Sequence, residues 1–332
     1  MRLLPGLMVA SVLTLAAGVF AGPAGAQSLD LRMSVESTPG APTQYILGAF
    51  RDALKEEMGD EVEIEYFDSG TLGDEIVHME QVRTGQLDVY PLGSDAVTLD
   101  AKWAVFDMPF LFPDRETVAR VLDGEIGEEL DRSMQESAGL KVLGLGELGF
   151  RHITNNVRPI VTPEDLNGLK IRVPGSKTRI AAFQAFGANP LTMNIGELYL
   201  AMQQGVIDGQ ENPLSNVRAW SWYEVQKYLS MSSHVYTPVT LVMNLQRYES
   251  LTEEQRAAMD RAAEKAVAAS RQYGADNDAK LVEELKQLSE GRMEFNDIDL
   301  AAFKEAAAEV RPMIAEAAGE EFTDKVIDAV GN

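Results

Sequence analysis

Apolar and polar residues alternate over LDLRMSVE (29–36), the pattern of a half-buried first strand. Pro39, Gly40 and Pro42 then break the chain. From Thr43 the apolar residues Tyr45, Phe50 and Leu54 recur at helical spacing to about Met58, and Gly59 stops the run. EVEIEYF (61–67) alternates again, with Val62, Ile64 and Tyr66 on one face. SGTLG (69–73) is a turn into a helix from about Asp74 to Arg83, and LDVYPL (87–92) is a third strand. This β-α-β-α-β order favours an open α/β sheet.

MPFLF (108–112), flanked by Pro113, predicts a buried loop or linker, and GLKVLGLGELG (139–149) a strand with a glycine-rich exit. Thr162-Pro163-Glu164-Asp165 is a helix start, with Thr as cap and Pro at the first helical position. The same alternation of elements then repeats: strand LKIRVP (169–174), helix Ser176–Phe186, strand PLTMN (190–194), helix Gly196–Gln204, strand VIDG and a QENP loop (210–213). Two α/β lobes are expected. From Thr252 a capping box opens an Ala-, Glu- and Lys-rich helix running to about Ser289, weakened only by Gly274. Roughly 35–40 helical residues at 1.5 Å each exceed the width of one lobe, so this helix is expected to span both. A coiled coil is disfavoured because the apolar positions are mostly Ala without strict heptads. Helix also predominates over 299–330.

The first residues change the picture. Met-Arg, an apolar run from Leu3 to about Ala21 and Ala24-Gly25-Ala26 form a secretory signal peptide over residues 1–26, with cleavage before Gln27. An uncleaved anchor is the alternative, but the run is short and interrupted for a membrane span. The mature chain would be a periplasmic protein too long for one comfortable core. Lobe one would hold residues 27–149 plus about 239–275, and lobe two 150–238 plus about 276–332. The formal charge is −23, and losing Arg2 makes it −24. Such a chain repels phosphate backbones, which excludes nucleic acid as a partner. There are no cysteines, so disulfides and thiol chemistry are excluded and stability rests on packing.

Strong acidity raises the interest of arginines in otherwise apolar stretches. Arg172 alternates with Ile171 and Val173 at the end of a strand that Pro174 terminates. Ligands of open α/β sheets bind beyond such ends, and a guanidinium there offers a planar fork to a carboxylate. A solvated arginine on an edge strand is the plain alternative. Arg151, in ELGFRHITNN, is a second candidate. Asn212, held extended before Pro213, offers an amide to an anion or a hydroxyl; an ordinary Asn-Pro turn is the alternative. Glu75 and His78 read as an exposed helix face, since metal sites of this spacing need a second pair. Trp103, Trp220 and Trp222 read as core. G-x-S-x-G, G-x-G-x-x-G and P-loop patterns are absent, so a secreted hydrolase or a nucleotide enzyme has no catalytic set to stand on, and no cofactor is implied.

Taken together, GFRHITNNVRPIVTPEDLNGLKIRVP, GANPLTMNIGELYLAMQQGVIDGQENPL and WYEVQKYLS resemble the substrate-binding subunit of TRAP (tripartite ATP-independent periplasmic, DctP-type) transporters. SGTLGDEIVHMEQVRTGQLDV and FDMPFLF are similar to that family as well. The resemblance implies a two-lobed periplasmic-binding-protein fold with a long spanning helix, and a monomer that closes on a small organic acid. Hinges are expected near 149–151 and 237–240. It also implies delivery of the ligand to a pair of integral-membrane subunits. By position it implies Arg172 as the main carboxylate ligand, Arg151 and Asn212 beside it, and Glu75 as a polar contact. Ser94, Met193 and Ile195 would line the pocket. Gly93-Ser94 stands where sialic-acid binders carry an acid, which argues against sialate. Glu36 stands where several relatives carry a neutral amide. Extra carboxylates tilt the expected ligand toward a hydroxylated acid such as a sugar acid, ahead of a C4-dicarboxylate or an aromatic acid.

Overall fold

The computed structural model describes residues 28–331, so the expected signal peptide lies outside the described residues. Eleven strands run in chain order: β1 Leu29–Ser34, β2 Val62–Phe67, β3 Val89–Leu92, β4 Leu140–Phe150, β5 His152–Asn155, β6 Lys170–Val173, β7 Asn189–Thr192, β8 Gly209–Asn212, β9 Tyr228–Met231, β10 Tyr236–Asn244 and β11 Glu294–Asp297. They form two sheets, ordered β2-β1-β3-β10-β4 and β11-β9-β5-β8-β6-β7. β1 pairs parallel with β2 and β3, and β6 parallel with β7 and β8, as the two β-α-β repeats require. β10 and β5 run antiparallel to their neighbours because they come from chain that has crossed between lobes.

The chain crosses between the sheets at single-residue economy. Arg151 alone separates β4 in the first sheet from β5 in the second. The return crossing occupies residues 232–235, between β9 and β10, a few residues ahead of the hinge expected at 237–240. The third crossing is helix Glu253–Leu288, within a residue of its expected span. Thr252 and Gln255 complete its capping box, with Thr252 Oγ1 accepting from the Gln255 N–H at 3.1 Å and Gln255 Oε1 accepting from the Thr252 N–H at 3.0 Å. At 1.5 Å per residue, 36 residues reach about 54 Å. Ala258, Met259, Ala262, Ala263 and Ala266 bury into the first lobe's core, whereas Leu281 and Leu285 bury into the second's.

Two sequence expectations are corrected. The QEN triplet is strand β8, not a loop: its side chains are polar yet buried, so a reading based on apolar runs ended the strand at VIDG. The C-terminal helix Glu320–Gly331 does not stay with the second lobe. Ala318, Phe322 and Val326 pack with Trp103, Val118 and Val121 in the first lobe. β11 was not anticipated; EFND is short, polar and at a sheet edge, where apolar alternation is not needed.

Gly274, the one weak point of the long helix by propensity, has a packing reason. A Cβ there would lie 2.2 Å from Glu147 Oε1. That carboxylate is buried, and its burial, opposed by Arg115, raises its pKa to about 7. It accepts from Arg115 Nε at 2.7 Å, and Arg115 also pairs with Asp278 on the helix. Gly274→Ala should therefore lower stability by about 1–3 kcal/mol, despite a helix-propensity gain of about 1 kcal/mol. Urea denaturation checks the sign; a raised midpoint would show that propensity outweighs the packing.

Candidate functional site

Both sheets point strand ends at a common cleft, and side chains from each lobe meet there. Glu36 follows β1, Glu75 opens helix Glu75–Arg83, Tyr90 lies on β3, and Ser94 and Asp95 follow it. From the second lobe come Arg172 on β6, Asn212 on β8, Ile195 and Asn216. Arg151 enters from the crossing itself. Together they line one cleft between the lobes, with polar and charged side chains converging on it. The lobes stand closed on it. Asn194 Nδ2 donates to Asp74 Oδ2 at 2.8 Å, the Gly175 N–H to Asp95 Oδ1 at 3.0 Å, and Thr38 Oγ1 to the Ala219 carbonyl at 3.1 Å. Each of these bonds joins one lobe to the other.

Arg172 is aimed rather than solvated: only 3 % of its surface is exposed. Nε and Nη2 both donate to the Met193 carbonyl, at 3.0 and 2.8 Å. That fixes one edge of the guanidinium. Nη1 and the second Nη2 hydrogen have no partner among the described residues, so the outer edge of the fork remains for an anion. Met193 thus acts through its backbone. Its side chain packs in the second lobe's core and does not line the cavity, contrary to the sequence expectation.

Arg151 borders the cavity, but its charge is committed. Nε lies 2.5 Å from Glu211 Oε2, Nη2 bonds the Glu211 carbonyl and Oε1, and Nη1 donates to Ser94 Oγ at 3.3 Å. Arg179 Nη1 reaches the same carboxylate at 3.0 Å and pairs through Nε and Nη2 with Asp107 Oδ1. His234 Nε2 sits 3.0 Å from Glu211 Oε2. Burial alone would push Glu211 up; Arg151 and Arg179 hold it well below the usual carboxylate range. Two cations and two anions cancel, leaving Arg172 as the uncommitted positive charge among the described cavity residues.

Asn212 is held in a polar ladder: its Nδ2 donates to Gln210 Oε1 at 2.5 Å, and its Oδ1 accepts from Asn216 Nδ2 at 2.9 Å. Glu36 is buried, accepting from Tyr90 Oη at 2.7 Å and Ser37 Oγ at 2.9 Å. Burial raises its pKa, opposed by those two donors. Glu75 is pushed up to about 8, chiefly by burial and then by Asp95, with Arg172 opposing. His78 is fully buried rather than on an exposed face: Ser34 Oγ lies 2.9 Å from its Nε2, and Tyr90 packs beside it. Trp103 and Trp222 are core, whereas Trp220 is only partly buried and borders the cleft mouth. Sequence reasoning missed Tyr90, Asp95, Asn216, Arg179 and the role of Glu211. The available signals were Asn216 four residues beyond Asn212, and a charged KTR inside an otherwise apolar helix.

The model of DctP, described as bacterial extracellular solute-binding protein, family 7, matches residues 33–317. The chain belongs to this family. The 2,3-diketo-L-gulonate-binding periplasmic protein YiaO of Escherichia coli is 35% identical over 285 residues, covering 85% of this chain and 86% of the relative. The TRAP periplasmic solute-binding protein of a Polaromonas species, solved with D-erythronate, is 30% identical, with TM-score 0.85 over 90% of this chain and 98% of the other. The sugar-acid-binding protein of Advenella mimigardefordensis, solved with galactonate, is 26% identical, with TM-score 0.87 over 92% and 98%. This TRAP solute-binding protein therefore has the two-lobed fold expected of it, and family and fold are those of transport binding proteins, not enzymes. Among its described residues no helix is long and apolar enough to cross a membrane.

The two arginines separate by experiment. Arg172→Ala should cost about 2–5 kcal/mol of ligand affinity by calorimetry, with Lys restoring only part, while melting stays near wild type. Arg151→Ala should instead cost about 3–5 kcal/mol of fold stability, because it leaves buried Glu211 and Asp107 sharing the single charge of Arg179. Near-wild-type affinity in the Arg172 variant would remove it from the site.

Proposed function

We propose that this binding protein captures a hydroxylated monocarboxylic acid of the sugar-acid class in the periplasm and hands it to the integral-membrane subunits of a TRAP transporter. Its signal peptide would be removed near Gln27. The observation that carries the ligand reading is the charge pattern of the cavity. One uncommitted guanidinium, Arg172, faces Glu36, Glu75 and Asp95 across the space. A single carboxylate pairs with the free edge of Arg172, and Asn212 and Ser94 complete its polar surroundings. Hydroxyl groups further along the ligand donate to Glu36 and Asp95, which are acceptors when ionised. A second carboxylate would meet these acids without a second cation, and like charges in a small enclosed space are costly. Ligands named for the three relatives, an erythronate, a galactonate and a diketogulonate, fit that description.

Charge-assisted hydrogen bonds contribute about 1.5–3 kcal/mol each, so a few of them with an excluded cleft reach micromolar affinity, about −8 kcal/mol. A thermal-shift panel tests the class. Hydroxylated monocarboxylates such as galactonate, erythronate and 2,3-diketo-L-gulonate should raise the melting temperature, a ligand at 100 times its Kd stabilising by about 2.7 kcal/mol. Succinate should produce no shift. A panel in which only dicarboxylates stabilise would reverse the assignment.

A further inference from the structure

We propose that ligand capture is coupled to uptake of one proton by the cleft, and that Glu75 is the side chain that carries it. The inference rests on the ligand class above and adds a co-bound proton that determines specificity. Its basis is a count of charges around the cleft. Arg151 and Arg179 are spent on Glu211 and Asp107. The lining then offers Arg172 against Glu36, Glu75 and Asp95. Arg172 balances the incoming carboxylate and nothing more. Glu36, Glu75 and Asp95 then line the same cleft without a second uncommitted cation, so neutralising one of them relieves the repulsion.

The geometry distinguishes which acid gives up its charge. Burial raises Glu36 as well, but a hydroxyl donor on each oxygen, Ser37 on Oε1 and Tyr90 on Oε2, opposes that rise and supports the carboxylate. Asp95 accepts the Gly175 N–H across the lobes. Glu75, by contrast, stands in the cleft beside Asp95, Glu36 and Arg172 with no comparable pair of hydroxyl donors. Every charged neighbour bears on it: Asp95 from the segment after β3, Glu36 from the segment after β1, and Arg172 from β6, its one attractive partner. On its own helix, His78 lies buried against Ser34 and Asp74 serves as the N-cap. Burial together with Asp95 and Glu36 accordingly favours the protonated form in the closed state. A protonated Glu75 becomes a donor, able to bond a ligand hydroxyl or keto oxygen that Glu36 and Asp95 could not serve.

The proton comes from solvent. Opening the cleft relieves the burial and the carboxylate neighbours that raise Glu75, so closure draws a proton from solvent onto its carboxylate and forms an O–H bond. The closed state is therefore favoured at low pH, and that advantage is lost as pH rises from about 4.5 to about 8. Within this window affinity should fall by up to about tenfold per pH unit, and it should be flat outside it.

The test is calorimetry of the full mature chain with galactonate, erythronate and 2,3-diketo-L-gulonate, in phosphate and in Tris at pH 7, repeated at pH 6 and 7.5. Buffers of different ionisation enthalpy report the protons exchanged. The expected result is uptake approaching one proton and weaker binding at the higher pH. Glu75→Gln, a neutral donor of the same shape, should bind with little uptake and a flat pH profile. Binding with no buffer dependence overturns the proposal and leaves the ligand class intact. Undiminished uptake in the Glu75→Gln variant overturns the assignment to Glu75. If none of the three acids binds, the ligand reading falls and the proposal with it.

Discussion

The carboxylate of Glu211 is the point on which the two lobes turn. It lies fully buried at the crossing from β4 to β5, and it exists as a charge only because Arg151 and Arg179 share it. Arg179 carries the connection onward to Asp107 in the first lobe, where Ser176 and Thr178 also converge on the same side chain. A buried ion pair is a poor source of stability but a strong source of geometric definition, since removing any member strands the others. The result is a neutral, fully occupied network that positions the cavity floor without lending it net charge. Arg172 can then act as an isolated attraction within a chain of formal charge −23.

That isolation resolves the apparent conflict between an acidic protein and an anionic ligand. Surface charge is screened within about 8–10 Å in physiological salt, so the overall acidity does not reach into the cleft with much force. Local geometry decides instead. The Met193 carbonyl holds one edge of Arg172 and leaves the other free, so the fork is preoriented before any ligand arrives. Glu36, Glu75 and Asp95 line the far side of the same cleft.

Much of this was legible in the sequence. The alternating strands, the glycine-stopped helices and the capping box at Thr252 are local signals, and each appears within a residue or two of its expected place. Arg172 was legible because an arginine between Ile171 and Val173 breaks an apolar pattern at a strand end. What escaped was non-local. β8 is polar on every residue, and only its hydrogen-bonded neighbours Thr154, Asn216 and Arg151 make a buried strand of it. Arg151 looked like a second ligand arginine; its partner lies 60 residues away and no periodicity announces it. Likewise, Met193 sits at a pocket position in the sequence, yet a strand-to-helix turn presents its carbonyl rather than its side chain.

The return of helix Glu320–Gly331 to the first lobe has a consequence for the order of assembly. Residues 79–145 build most of a core that Phe322 and Val326, about 180 residues further along the chain, complete. Neither lobe is a continuous stretch of chain, so each completes its core only when distant segments meet. The same arrangement makes helix Glu320–Gly331 a seal: removing it would bare Trp103, Val118 and Val121 of the first lobe's core, far from the cleft.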